Sequence, residues 1–269
     1  MPVRTDVAMG TLVTIQLPRC GDEAAEALDR AFRWFHEVES RCTRFDQESE
    51  LMQLTAKVGV GVPASAILYE ALRFALMAAE ASGGAFDPTV AHSADDVSYR
   101  DVVLEPERRT ITLRRPLTLD LGAVAKGLAV DMAARELAAL RDFAIDAGGD
   151  LYLGGSNEHG APWRVGIRHP RNEGELIGSL RVSDQAVCTS GDYERPGHIL
   201  DPRTGTSPEG VASVTVMAPS AMLADALATA AFVLGPEDGI ALLESQGVDG
   251  LIVTAELQRH KTRGLRHVA

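Results

Sequence analysis

The stretch SAMLADALATAAFVLG, residues 220–235, constrains the fold more than any other part of the chain. Ser220 suits a helix N-cap, Gly235 suits a stop, and almost every side chain between them is small or apolar. A helix that is apolar all round has no face for water and must be buried by its neighbours. The chain therefore has to wrap a core helix. Its 269 residues suffice for one large domain, residues 1–269, or for two intimately packed lobes. Two residues break the apolar pattern, Asp225 and Thr229, which sit four apart and so share one helix face.

What surrounds that helix is rich in strands. TLVTIQL (11–17) alternates as a strand does, and residues 22–41 carry an apolar stripe through Ala25, Leu28, Phe32, Phe35 and Val38. Residues 63–82 predict a second helix, with Pro63 in its first turn and Gly83-Gly84 as its stop. Residues 102–113 predict a hairpin, PLTLDLG (116–122) a short strand, and 123–140 a further helix. FAIDAGGDLYLGG reads as strand, glycine turn and strand. WRVGIRHP, GSLRVSDQAVCTSG, VASVTVMAP and GLIVT add more strands, a short helix is expected over 236–245, and the tail from Glu256 is polar and basic. Strands come in runs with helices between some of them, which predicts an α+β fold with mostly antiparallel sheet. Neither a GxGxxG nor a GxxxxGK[ST] pattern is present, so dinucleotide-fold and P-loop readings lack their signatures.

A net charge of −12 argues against nucleic-acid binding, and it requires a local cation wherever a phosphate compound is to bind. The three scattered cysteines, Cys20, Cys42 and Cys188, suggest a reducing compartment without a disulfide framework. No uninterrupted apolar run reaches the roughly 18 residues of a bilayer span. The first residues read as strand rather than as a signal peptide.

Several places can carry chemistry. Asp225 and Thr229 form a hard oxygen pair suited to Mg²⁺ or Ca²⁺; alternatively the Thr229 hydroxyl bonds back to the Asp225 carbonyl. In DLGAVAKG (120–127) a strand, a glycine and a helix start bring Lys126 to a helix N-terminus, either an anion site or a plain junction. DAGGD (146–150) allows a close backbone approach or a tight reversal only. Asp87, before a proline, suits ligand hydrogen bonds or an Asx-turn. His198 lies in TSGDYERPGHILDPRTG, a loop dense in polar and turn residues, and is either a base or phosphate contact or a plain loop histidine.

Taken in order, MGT at Met9, DQESEL at Asp46, GGAFDPT, LDLGAVAKG, IDAGGDLYLGG followed by PWRVGI, TSGDY, HILDPRTG, SVTV and ADALATA resemble the FAD:protein FMN transferases, the ApbE family, across nearly the whole chain. The resemblance implies an ApbE-like, T-fold-like architecture with FAD between the lobes. It implies a Mg²⁺-dependent cleavage of FAD that attaches FMN, through its phosphate, to a threonine of a partner flavoprotein and releases AMP. Relatives that hydrolyse FAD to FMN and AMP, or that only bind it, supply the alternatives.

The resemblance further implies Asp225, Thr229 and the Ala123 carbonyl as metal ligands. Flavin or adenine contacts would come from Met9, Gly10, Phe45, Ala85, Phe86, Asp87, Asp120, Lys126 and Val211, and the catalytic base would be His198. The chain departs from many relatives in having Phe45 where they have tyrosine, and from some in having Ala228 where they have a second acid. Many relatives are periplasmic lipoproteins, and with no lipobox seen here the expected location is the cytoplasm.

Overall fold

A computed structural model of the chain describes residues 3–19, 24–89, 97–193, 197 and 199–265. The strands are β1 (Val3–Ala8), β2 (Thr11–Gln16), β3 (Val62–Pro63), β4 (Val102–Glu105), β5 (Thr110–Leu113), β6 (Phe143–Ala147), β7 (Asp150–Gly154), β8 (Trp163–Arg168), β9 (Leu176–Val182), β10 (Gln185–Gly191), β11 (Val211–Ala218), β12 (Asp249–Thr254) and β13 (Arg259–Lys261). The helices are α1 (Ala25–Cys42), α2 (Glu50–Thr55), α3 (Ala66–Ala81), α4 (Gly122–Leu137) and α5 (Ala221–Ser245). One eight-stranded sheet runs β1-β2-β6-β7-β10-β11-β12-β13, every neighbouring pair antiparallel. The small β3-β5-β4 sheet and the β8-β9 hairpin stand apart from it. The expected α+β class with antiparallel sheet is what the chain adopts.

The apolar helix lies where its composition requires. α5 packs on β10, β11 and β12, and α4 packs against it and in turn on α1. Ala224, Ala226, Leu227, Ala228, Ala230, Ala231 and Phe232 are all buried in the resulting core. By length and composition α5 could cross a bilayer, yet it is spent on the sheet and bends at Gly235, whose φ of 82° precedes Pro236. A smaller core on the other side of the sheet joins Trp163, Ile167, Leu180 and Val182 to Leu153, Val187, Leu251 and Val253.

Three local expectations need correction. Pro63 belongs to β3, where Val62 pairs with Ile111, and α3 starts after Ser65, whose hydroxyl accepts the Leu68 N–H. PLTLDLG is not a strand: it alternates because Leu117, Leu119 and Leu121 face the core, while the Asp120 N–H goes to the Pro88 carbonyl. Ala25 is exposed, and Ala31 and Cys42 complete the buried stripe of α1.

Candidate active site

The site forms where α4, α5 and two hairpin ends meet. α4 begins with a distorted turn: Ala123 sits at φ −89°, ψ 15°, outside the helical region. One turn on, Gly127 lies against the backbone of Ala221 and Met222, and a Cβ there would stand 2.6 Å from Met222 Cα. Asp131 completes the junction, accepting the backbone N–H groups of Ala221 at 2.7 Å and Met222 at 3.1 Å. It therefore caps the N-terminus of a helix 90 residues away, together with Ser220, which accepts from Leu223. Burial pushes the Asp131 carboxyl up to about 6, against the two N–H groups that favour its charged form.

This junction brings Lys126 of α4 to Asp225 of α5. The Lys126 ammonium contacts Asp150 Oδ2 at the start of β7 and lies 3.8 Å from Asp225 Oδ2. Both carboxylate oxygens are buried, and apart from Lys126 neither has a polar partner. Desolvation raises the Asp225 pKa, and the Lys126 charge opposes it. On the same face of α5 the Thr229 hydroxyl lies 3.3 Å from the Ser190 hydroxyl of β10. Asp150 reaches the site because β6 and β7 turn through Gly148 and Gly149 at φ 64° and 96°. A Cβ on Gly148 would overlap Thr11 Oγ1 at the start of β2, so that position has room only for glycine.

A second group of expected residues gathers around Asp120. Its Oδ1 accepts the Gly122 N–H at 2.8 Å and its Oδ2 faces Arg44 Nε at 3.1 Å. The Arg44 guanidinium lies 4.7 Å from the centre of the Phe45 ring, which is 83% exposed. Through the Asp120–Pro88 bond this group adjoins Ala85, Phe86 and Asp87, all three buried. Asp87 is occupied by its own chain. Oδ1 accepts the Thr89 N–H and hydroxyl at 2.8 and 2.7 Å, and Oδ2 accepts the Tyr99 N–H at 3.0 Å.

Three further expected residues, Met9, Gly10 and Val211, stand at strand ends. Met9 and Gly10 form the β1-β2 turn at φ 54° and 70°. Val211 opens β11 and lines a cleft of about 480 Å³ with Phe232, Gly235 and His260. His198 lies outside the described residues. Another cleft, of about 640 Å³, opens beside Asp131, Arg141 and Tyr152 and contains none of the expected site residues. At the start of α4 the Lys126 ammonium faces two carboxylates, those of Asp150 and Asp225.

Among the described residues no three His, Cys, Asp or Glu side chains cluster as a metal site. The expected donors are instead one carboxylate, one hydroxyl and one backbone carbonyl. Hard oxygens of this kind suit Mg²⁺, and the buried Asp225 Oδ2, which accepts no hydrogen bond and has Lys126 only at 3.8 Å, is an acceptor suited to a cation. Sequence reading passed over Asp131, Asp150 and Ser190. Only Asp150 carried a signal, the acid directly after the two glycines of DAGGD.

The sequence matches the model of the ApbE family over residues 9–95 and 92–252. The chain belongs to the ApbE family. Its ApbE relatives include a FAD:protein FMN transferase of Treponema pallidum, 32% identical over 97% of this chain and 87% of the relative. Further relatives of that name, from Vibrio cholerae and Haemophilus influenzae, align over 55% and 49% of their length. Among solved structures, an ApbE protein of Thermotoga maritima superposes with a TM-score of 0.87 at 25% identity, covering 97% of each chain. The flavin transferase ApbE of Vibrio cholerae gives 0.86 at 26% identity, over 98% of this chain and 97% of that one.

Proposed function

We propose that this ApbE-family flavin transferase cleaves FAD with the help of Mg²⁺, attaches the FMN half through its phosphate to a threonine of a partner flavoprotein, and releases AMP. The names of its relatives support the FAD:protein FMN transferase activity. The observation that carries the metal-dependent reading is Asp225: a carboxylate buried in an apolar helix, its Oδ2 without a hydrogen-bond partner, one turn from Thr229 on the same face.

Asp225, Thr229 and the Ala123 carbonyl would hold the Mg²⁺, which when bound neutralises charge on a pyrophosphate. The chain's own residues do the rest. The distorted turn at Ala123 leaves the first turn of α4 outside regular helical geometry. Lys126 adds a mobile positive charge for phosphate oxygens in a protein whose overall field repels them. Phe45 offers an exposed ring for the flavin or adenine to stack on, held by Arg44 and Asp120. His198 takes the proton of the attacking threonine hydroxyl, a role worth about 10²–10⁴-fold in rate.

The test is incubation with FAD and Mg²⁺, with and without a threonine-bearing acceptor flavoprotein. AMP is followed by chromatography and the acceptor by mass spectrometry. AMP release together with an FMN-sized mass gain on an acceptor threonine is expected. Equal AMP release without acceptor, and no adduct, makes the protein a FAD pyrophosphatase instead.

A further inference from the structure

Asp150 has no role in the reading above, although it is the carboxylate in closest contact with Lys126. Its side chain is 3% exposed, that of Asp225 is 9%, and that of Lys126 is 26%. The three come from β7, α5 and α4, so three separate elements converge on a single ammonium. The ammonium sits unevenly between its partners: it touches Asp150 and stays 3.8 Å from Asp225 Oδ2, near the limit of an ion pair.

We propose that Asp150 is a positioning residue that holds Lys126 off Asp225, leaving Asp225 free to take a divalent cation. The inference rests on the cation reading given above. A buried carboxylate left without a counter-charge is strongly destabilised, so Asp225 draws in whichever cation is nearest. Lysine carries its charge on a long flexible stem and would close on Asp225 if nothing competed for it. Asp150 is that competitor. It is fixed at the first residue of β7 by the Gly148-Gly149 turn and paired there with Ala147.

The charge balance gives the arrangement its use. Two carboxylates and one ammonium leave the cluster with one negative charge, which repels a pyrophosphate. A divalent cation at Asp225 turns this into one positive charge without moving Lys126 out of the site. Lys126 is the most exposed of the three, and it is then free to turn from Asp150 toward a bound phosphate. Asp150 thus makes phosphate binding conditional on prior cation binding.

The experiment titrates the protein with Mn²⁺ in the absence of FAD and reads the free ion by electron paramagnetic resonance. Asp150→Asn is expected to weaken Mn²⁺ binding by about tenfold or more, because Lys126 collapses onto Asp225. The double variant Asp150→Asn/Lys126→Met is expected to recover wild-type affinity or better, because Asp225 is then uncontested. Unchanged affinity in Asp150→Asn overturns the proposal. So does a double variant as weak as the single one, which would make Asp150 a ligand or a structural support; a folding defect caused by the asparagine would persist in both. Asp225→Asn separates the two levels of the argument. If it binds Mn²⁺ as tightly as wild type, the cation reading itself fails, and the role of Asp150 with it.

Discussion

Gly127 of α4 and Met222 of α5 meet backbone to backbone, at a separation that leaves no room for a methyl group between them. The helix that carries Ala123 and Lys126 is thereby set directly against the helix that carries Asp225 and Thr229. Gly127→Ala must push the two helices apart, since backbone cannot rotate away as a side chain does. Overpacking of this kind costs about 1–3 kcal/mol, which in a chain of this size lowers the melting temperature by a few degrees. Gly61→Ala is the control, because the nearest atom to its Cβ would be 3.4 Å away. Thermal melts showing equal midpoints for both variants would remove the contact as a constraint on the site.

Asp131 gives the junction a pH dependence whose sign follows from its burial. Its folded pKa, about 6, lies above the ordinary 3.8, so the folded state holds the proton more tightly than the unfolded chain does. This contribution to stability is present in full below pH 3.8 and is lost as pH rises through about 6. Between pH 7 and pH 5 the wild type should gain about 1 kcal/mol from this group, and Asp131→Asn should gain nothing from it. Urea unfolding at the two pH values checks the difference between the proteins. A difference of opposite sign would show that the Ala221 and Met222 N–H groups outweigh desolvation.

Asp87 is expected to act on folding before it acts on any ligand. Its carboxylate accepts three hydrogen bonds from Thr89 and Tyr99, which stand at either side of residues 90–98. Asp87→Ala leaves these donors unsatisfied, two of them on backbone, and buried donors without partners cost about 1–3 kcal/mol each. The loss should appear in protein free of FAD, as a lower urea midpoint. A variant that unfolds like wild type but binds FAD poorly would return Asp87 to the role of a ligand contact.

The pattern of legibility follows the range of the interactions involved. Asp225 and Thr229 could be paired from spacing because a helix relates residues four apart locally. The apolar character of the same helix announced its burial for the same reason. The roles of Asp131 and Asp150 are set by tertiary contact: Asp131 caps a helix 90 residues on, and Asp150, marked in the sequence only by its glycine turn, meets Lys126 across the sheet-helix boundary. Pro63 was misread because its strand exists only through pairing with Ile111 and Thr110. PLTLDLG was misread because alternate burial of three leucines mimics a strand even where no neighbouring strand is present.

Phe45 offers a test in which binding and stability separate. Its ring is 83% exposed and supports no core, so Phe45→Ala should leave the melting temperature of the protein unchanged. The ring is nevertheless held in place, lying 4.7 Å from the Arg44 guanidinium, which is itself 3.1 Å from Asp120. An exposed aromatic face held in this way can serve as a stacking platform, and aromatic stacking on a base is worth about 1–3 kcal/mol. Phe45→Ala should therefore weaken FAD binding by about tenfold, read from quenching of flavin fluorescence. Phe45→Tyr keeps the face, adds the hydroxyl that the family resemblance leads one to expect, and should bind FAD at least as tightly as wild type. Arg44→Ala should give part of the loss, since it frees the ring without removing it. Wild-type affinity in Phe45→Ala would place the flavin and adenine elsewhere, and Asp120 would then have only the Gly122 turn and Arg44 to hold.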